Sequence, residues 1–270
     1  MSEIEVVSGQ ALSNQIKAEN ESQVDIAKRY PRDLKLVRKN VLALATCDAE
    51  TAASCFYAKP VDNKGTMAEG PSIRLAEIVA SSYQNIRYGT RVVDVEDRWV
   101  TVQGVAYDME NNVSYTVDVK RSIWSKKHGR YPQNLIQTTI KAAQAIARRD
   151  VILGVIPKGL FNAEIQKIKA CAAGSASGES ILKRSQKAIA FFNKMGVDSD
   201  RILAVLKKDH IESITDDDIA TLHGIRNAIK DNEATVEESF PPTKAQESKA
   251  KSKKANEGVD EMVEDGKDNA

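Results

Sequence analysis

The chain is poor in cysteine, histidine and aromatic residues, and these shortages limit the chemistry it can carry. Its three cysteines, Cys47, Cys55 and Cys171, are odd in number and form no C-x-x-C pair, which argues against a disulfide framework or a zinc site. The three histidines are scattered, and no G-x-x-x-x-G-K-[ST] loop is present to cradle the phosphates of ATP. We therefore expect no catalytic residues, no metal and no cofactor, and we do not expect an enzyme.

Long apolar runs are also lacking. None approaches the roughly 18 residues that a membrane span requires, so no membrane role is expected. The first ten residues, MSEIEVVSGQ, have neither the basic start nor the apolar stretch of a secretory signal. The expected location is the cytoplasm.

The chain is rich in charge, and the charge is unevenly distributed. The formal net charge is only +1 because two opposed blocks cancel. Between residues 120 and 160, nine Lys or Arg face a single acid, Asp150, which leaves +8. Between residues 257 and 270, six acids face Lys267 alone, which leaves −5. The first block needs anionic partners, and the second is an acidic tail.

Hydrophobic periodicity predicts an α+β fold. Asp33 opens a helical pattern that runs to Thr46, Asp48 can cap a short helix toward Phe56, and Gly70-Pro71 opens another helix. The runs IRYGTRVVDV, RWVTVQGVAYD and NVSYTVDVKRSIW then alternate with period two, which predicts an antiparallel three-stranded β-meander over residues 86–124. A long helical pattern follows from Pro132 to about Leu153. The expected core is this meander packed on the long helix, with helical flanks.

The same patterns divide the chain into five segments. Thr215 with Asp218 forms a capping-box pattern in the fourth of them, and the last lacks aromatic residues and is expected to be disordered. The segments are a helical N-terminal lead-in (1–58), an α+β core (59–160), a helical extension (161–196), a small helical module (197–241) and a Lys-rich, then acidic tail (242–270).

The basic block, with aromatic residues in and beside the predicted strands, indicates a nucleic-acid partner. A phosphate backbone offers closely spaced negative charge, and bases stack on aromatic side chains. Trp124 falls on the same alternation face as Lys120, whereas Trp99 and Tyr115 are expected in the core. The alternative for such a charge run is a solvated helical face. The predicted DNA contacts in this block are Lys120, Arg121, Trp124, Lys126, Lys127, Arg130, Lys141, Arg148, Arg149 and Lys158.

The order of elements resembles a known family. An Arg-bearing helix (GPSIRLAEIVASS), a meander and a long helix ending ARRDVILGVIP are similar to the phage single-strand annealing proteins of the Erf, RecT and Redβ group, across roughly residues 59–241. That resemblance implies a β-β-β-α core, a basic groove in a ring or filament, and strand pairing without ATP. It adds Arg74 to the candidate groove residues.

The expected function is therefore ATP-independent binding and annealing of single-stranded DNA in phage homologous recombination, in the host cytoplasm. The resemblance implies a homo-oligomer, with an exonuclease or a single-strand-binding protein as partner of the C-terminal module or tail. One alternative is a non-DNA interaction protein, such as a phage assembly or scaffolding factor. Another is a metal-dependent nuclease built on the acids Asp94, Glu96 and Asp97.

Overall fold

A computed structural model describes residues 9–61, 66–126, 129–157, 159–175 and 178–242. The described residues form two compact units: those of 9–56 with those of 70–172, and those of 57–69 with those of 173–242. The segment 161–196, expected as one helical extension, is therefore divided between the units. Lys127, Lys158 and the tail from residue 243, for which DNA contacts and disorder were expected, lie outside the described residues.

Helices with polar caps open the first unit. Asp33 and Asp48 accept hydrogen bonds from the first turns of the second and third helices, as expected, whereas Pro71 ends a strand and Ser72 caps the fourth helix. Two short strands follow the third helix in sequence and pair with each other, and most of their residues, 57–60 and 67–69, belong to the second unit. In chain order the elements are α1 (Gly9–Arg29), α2 (Leu34–Ala45), α3 (Ala49–Ser54), β1 (Phe56–Pro60), β2 (Met67–Pro71) and α4 (Ile73–Tyr83).

The predicted three-stranded antiparallel meander is confirmed. Its strands are β3 (Ile86–Val95), β4 (Trp99–Asp108) and β5 (Val113–Ser122), with β4 in the centre. A short hairpin of β6 (Trp124–Ser125) and β7 (Gly129–Arg130) follows, and then the long helix α5 (Gln133–Val155) and α6 (Asn162–Ala172).

Helix α5 packs on one face of this sheet. Val100 and Val102 of β4 are fully buried in a cluster with Ala143 and Ala147 of α5. Gly104 permits this approach, because a Cβ at that position would lie 2.7 Å from the backbone oxygen of Ala147. The expected packing of the meander on the long helix is confirmed.

The second unit is mainly helical. Thr215 and Asp218 form the predicted capping box, and Phe192, Ile202, Ile225 and Phe240 are fully buried in its core. Its helices are α7 (Ile181–Asn193), α8 (Ser199–Leu206), a short 3-10 helix (Ile211–Ser213), α9 (Asp216–Lys230) and α10 (Val236–Ser239).

Candidate nucleic-acid interface

The face of the sheet opposite α5, here called the outer face, carries both charged and aromatic side chains. Residues of β4 that lie between the buried ones point to this face, because successive side chains in a strand point to opposite sides. The strand register extends the same assignment to both neighbouring strands. The outer face carries Arg87, Gly89 and Arg91 of β3, Trp99, Thr101, Gln103, Val105 and Tyr107 of β4, and Ser114, Thr116, Asp118, Lys120 and Ser122 of β5.

A groove of about 340 Å³ lies along the β3 side of the sheet, lined by residues 87–91 of β3 and by Gln103, Val105 and Tyr107 of β4. Arg87 and Arg91 line it, four residues apart and hence about 13 Å apart along the strand. Gly89 lies between them, and no atom lies within 4 Å of the point that its Cβ would occupy. Gln103 orients Arg91, because its Oε1 accepts hydrogen bonds from Nε at 3.0 Å and Nη2 at 2.6 Å. The groove is therefore an open slot between two exposed guanidinium groups, with Tyr107 in its lining.

Both tryptophans lie at one end of the sheet, here called the tryptophan end, and each is accompanied by a cation. The Lys120 Nζ lies 5.8 Å from the centre of the Trp99 ring, and the Arg98 guanidinium lies 4.8 Å from that of Trp124. The prediction that Trp99 lies in the core is wrong. Trp99 is 41% exposed, because it lies on the outer face, which α5 does not cover. Trp124 is half-buried in β6.

The β6–β7 hairpin is attached to the turn between β3 and β4. Trp124 pairs with Arg130, whose Nη1 donates to the backbone oxygens of Glu96 at 3.0 Å and Asp97 at 2.6 Å. Lys126 is exposed on the same hairpin. Four predicted DNA contacts, Lys120, Trp124, Lys126 and Arg130, are thus brought together at the tryptophan end.

The other predicted contacts lie elsewhere. Arg121 pairs in register with the buried Val100, so its side chain points to the α5 side of the sheet. Lys141 is exposed on α5, and Arg148 is paired with Glu77 of α4 at 2.9 Å. Arg74 lies on the same helix, one turn before Glu77. Because α5 covers the inner face, these cations are not part of the outer face.

Arg149 requires a correction. Its side chain is 6% exposed and lies 3.0 Å from Asp150, so it does not form part of a DNA-facing surface. Residues 148 and 149 are about 100° apart around the helix, so the helix that leaves Arg148 half-exposed turns Arg149 inward. The burial of Arg149 assigns it to the packing of α5.

Sequence reasoning missed Arg87, Arg91 and Arg98, because they precede the basic block of residues 120–160 from which the contacts were predicted. Period-two alternation in IRYGTRVVDV would have found the first two, because it places Arg87, Gly89 and Arg91 on one side. Tyr115, expected in the core, lies against Gly154 of α5, yet it is 44% exposed because β5 is an edge strand.

The electrostatics of the outer face and tryptophan end are mixed, with cations and acids close to balance. Two of the acids already have partners, since Glu96 lies 2.6 Å from Lys120 and Asp97 lies 3.4 Å from Arg130. Such exposed pairs contribute little stability and exchange readily for another anion. The cations are Arg87, Arg91, Arg98, Lys120, Lys126 and Arg130, and the acids are Asp94, Glu96, Asp97 and Asp118, together with Glu21 and Asp25 of α1, which line a pocket with Arg87 and Tyr107.

Within the described ranges, no group of three or more His, Cys, Asp or Glu side chains is placed to hold a metal ion. The same residues contain no helix that is both long and apolar enough to cross a membrane. Comparisons of the chain with protein-family models, with curated proteins and with solved structures returned no match.

Proposed function

We propose that this chain binds single-stranded DNA on the outer face of its sheet. The observation that carries the proposal is the combination of exposed guanidinium groups along β3 with two cation-flanked tryptophans at the tryptophan end. Guanidinium groups recognise phosphate, and an exposed indole offers a surface on which a base can stack. The three strands are about 33 Å long, which accommodates several nucleotides.

Single strands fit this surface better than a duplex does. Stacking on Trp99 requires a base whose face is uncovered, and the bases of a duplex already stack on one another. A single strand can lie along a sheet face, whereas a duplex is read by a helix or a two-stranded ribbon that enters its major groove. A strand lying on it through phosphate contacts would keep base edges available for pairing.

Annealing follows from such a binding mode without nucleotide hydrolysis. We propose that the protein is not an enzyme and that it promotes pairing of complementary strands during homologous recombination of a bacteriophage. In the described part of the sheet, β3 and β5 are edge strands with no further strand beside them. Edge strands of ten residues favour pairing with another chain, which supports the proposal of a homo-oligomer.

Fluorescence anisotropy with a labelled oligo-dT tests the DNA-binding site. Trp99→Ala should weaken binding roughly five- to one-hundredfold, because stacking contributes about 1 to 3 kcal/mol per base. Trp99→Phe, which keeps an aromatic surface, should recover most of the affinity. Lys35→Ala and Lys167→Ala, which remove exposed cations on α2 and α6, are matched controls and should leave affinity unchanged. Equal affinity of Trp99→Ala and the controls would contradict the proposed site.

Pairing of complementary oligonucleotides without added nucleotide tests the proposed activity. The protein should accelerate pairing over the spontaneous rate, and ATP should not change the rate. Binding without acceleration would leave a DNA-binding protein that does not anneal. Failure to bind any oligonucleotide at low salt would instead favour the alternative of a non-DNA interaction protein, whose basic residues bind an acidic protein partner.

A further inference from the structure

The helix α7 of the second unit has an apolar surface beside a basic one. Ile181, Ala188 and Phe191 lie along one stripe at helical spacing, and Met195 follows in the turn after the helix; Phe191 is 40% and Met195 39% exposed. They border the buried stripe of Ile189 and Phe192 but are not covered by it. We name the surface of Ile181, Ala188, Phe191 and Met195 the α7 stripe.

Cations flank the α7 stripe. Lys183, Lys187 and Lys194 are exposed and lie along the adjacent side of the helix. From Ile181 to Met195 the sequence contains four Lys or Arg and no acid. Two of these cations already have acid partners, since Lys187 lies 2.5 Å from Glu179 and Arg184 lies 2.7 Å from Asp216, so an acidic partner would meet chiefly Lys183 and Lys194. Across the stripe, the guanidinium of Arg226 in α9 lies 5.6 Å from the centre of the Phe191 ring. A partner for this surface needs apolar side chains among acidic ones.

The chain itself contains such a segment. Residues 257–268, EGVDEMVEDGKD, place Val259, Met262 and Val263 among six acids. We propose that this acidic segment of the same chain docks on the α7 stripe, with its apolar side chains against Phe191 and Met195 and its carboxylates beside the flanking lysines. The proposal does not depend on DNA binding.

The position at which the chain leaves the second unit supports an intramolecular contact. Phe240 is fully buried, and its ring centre lies 4.8 Å from that of Phe192 on α7. Phe192 in turn lies 5.3 Å from Phe191, measured between ring centres, so the described chain ends near the stripe. Helix α7 is only about 20 Å long, and the 18 residues from 241 to 258 can span up to about 60 Å. The acidic segment can therefore reach any point of the stripe.

Zero-length carbodiimide cross-linking of the full-length protein at low salt tests the contact. This reagent joins a carboxylate to an amine only where the two touch, and mass spectrometry identifies the linked peptides. Links are expected between the acids of 257–268 and Lys183 or Lys194, and they should fall sharply at high salt, where screening is strong. A mixture of isotopically light and heavy chains separates links within one chain from links between chains.

Two variants test the apolar half of the contact while leaving every reactive group in place. Met262→Ser with Val263→Ser changes only the acidic segment, and it should reduce the links to Lys183 and Lys194 about tenfold through lost apolar burial. Phe191→Ser with Met195→Ser should do the same, with an unchanged melting temperature as the check on folding. Links that survive both variants would show a merely electrostatic contact and overturn the proposal.

Other outcomes also decide against the proposal. Links from the acidic segment chiefly to Lys120 or Lys126 would place it on the outer face of the sheet. Links to Lys183 only between light and heavy chains would make the contact intermolecular. Links to Lys183 and Lys194 no more frequent than those to Lys35 and Lys167 would mean that the segment has no preferred site.

Discussion

Arg32 and Asp108 form a bidentate ion pair at one end of the sheet. The Arg32 Nη1 lies 2.7 Å from Oδ2 of Asp108, and Nη2 lies 2.6 Å from Oδ1. Both side chains are almost completely buried, Glu110 lies 3.0 Å from the Arg32 Nε, and the Tyr83 ring lies beneath the guanidinium at 3.8 Å. The pair therefore joins the start of α2 to the last residue of β4, 76 positions away.

Arg32→Met is predicted to destabilise the first unit by about 3 to 5 kcal/mol, because it leaves the carboxylate of Asp108 buried without its partner. The double variant Arg32→Met with Asp108→Leu should recover much of this loss, since it removes the uncompensated charge. Trp99 and Trp124 are the only tryptophans of the chain, and both lie in this unit, so tryptophan fluorescence during urea unfolding measures the change. Lys35→Met, an exposed cation on α2, is the control, and an equal loss in that variant would contradict the prediction.

The second unit is predicted to lose stability as the pH falls from about 6.5 to 4. Burial lowers the pKa of His223 to about 4, and Arg226 acts in the same direction. The unfolded chain takes up its proton first, near pH 6.5, so stability is complete above that pH and falls by about 3 kcal/mol on the way to pH 4. His223→Gln should remove this slope, as measured by denaturant unfolding followed by far-UV circular dichroism at several pH values.

Tryptophan fluorescence provides the internal comparison for that experiment. Burial raises the pKa of Asp108, but hydrogen bonds from Arg32 and Asn111 outweigh burial, so the net pKa lies below its usual value. The stability that ionised Asp108 gives to the first unit is therefore present above about pH 4 and is lost as the pH falls further. If the stability of the second unit depends on pH in the same way in wild type and in His223→Gln between pH 6.5 and 4, the histidine is not the titrating group.

The parts of the fold that local patterns determine could be predicted, and those that depend on distant contacts could not. Alternation placed the three strands of the meander and sorted the faces of β5 correctly. Alternation places Trp99 on the same side as Thr101 and Gln103, but it could not tell which side of the sheet α5 covers, because that depends on contacts between residues distant in the sequence. Charge density likewise drew Lys120, Lys126 and Arg130 into the prediction, and the fold brings these three residues together at the tryptophan end. Charge density could not reveal that Arg149 is buried. Adjacent residues point in directions about 100° apart around a helix, and which of the two is covered depends on how the helix packs.

Gly104→Ala is predicted to destabilise the first unit by about 1 to 3 kcal/mol through overpacking. The added methyl group would lie 2.7 Å from the backbone oxygen of Ala147 and 3.0 Å from Cγ1 of Val151, and the backbone of α5 cannot withdraw without losing its packing. Gly89→Ala is the matched control, since it meets no atom within 4 Å on the neighbouring strand. Urea unfolding of both variants measures the difference. Equal free energies of unfolding would show that α5 can shift to accommodate the methyl group without loss of stability.

The last prediction separates the arginines that bind phosphate from those that hold the fold. Arg87→Ala with Arg91→Ala should preserve the melting temperature, because both side chains are exposed, and should flatten the dependence of log affinity on log salt by about 1.4, at about 0.7 per phosphate contact. Arg149→Ala should leave that slope unchanged and lower the melting temperature, since a buried side chain is lost. Arg148→Ala should change neither quantity much, because its pair with Glu77 is partly exposed and lies on the far side of α5 from the outer face. Fluorescence anisotropy across a salt series, with thermal melts of the same proteins, measures all three. A slope that falls for Arg148→Ala and not for the β3 pair would move the DNA path from the outer face of the sheet to the surface of α4 and α5.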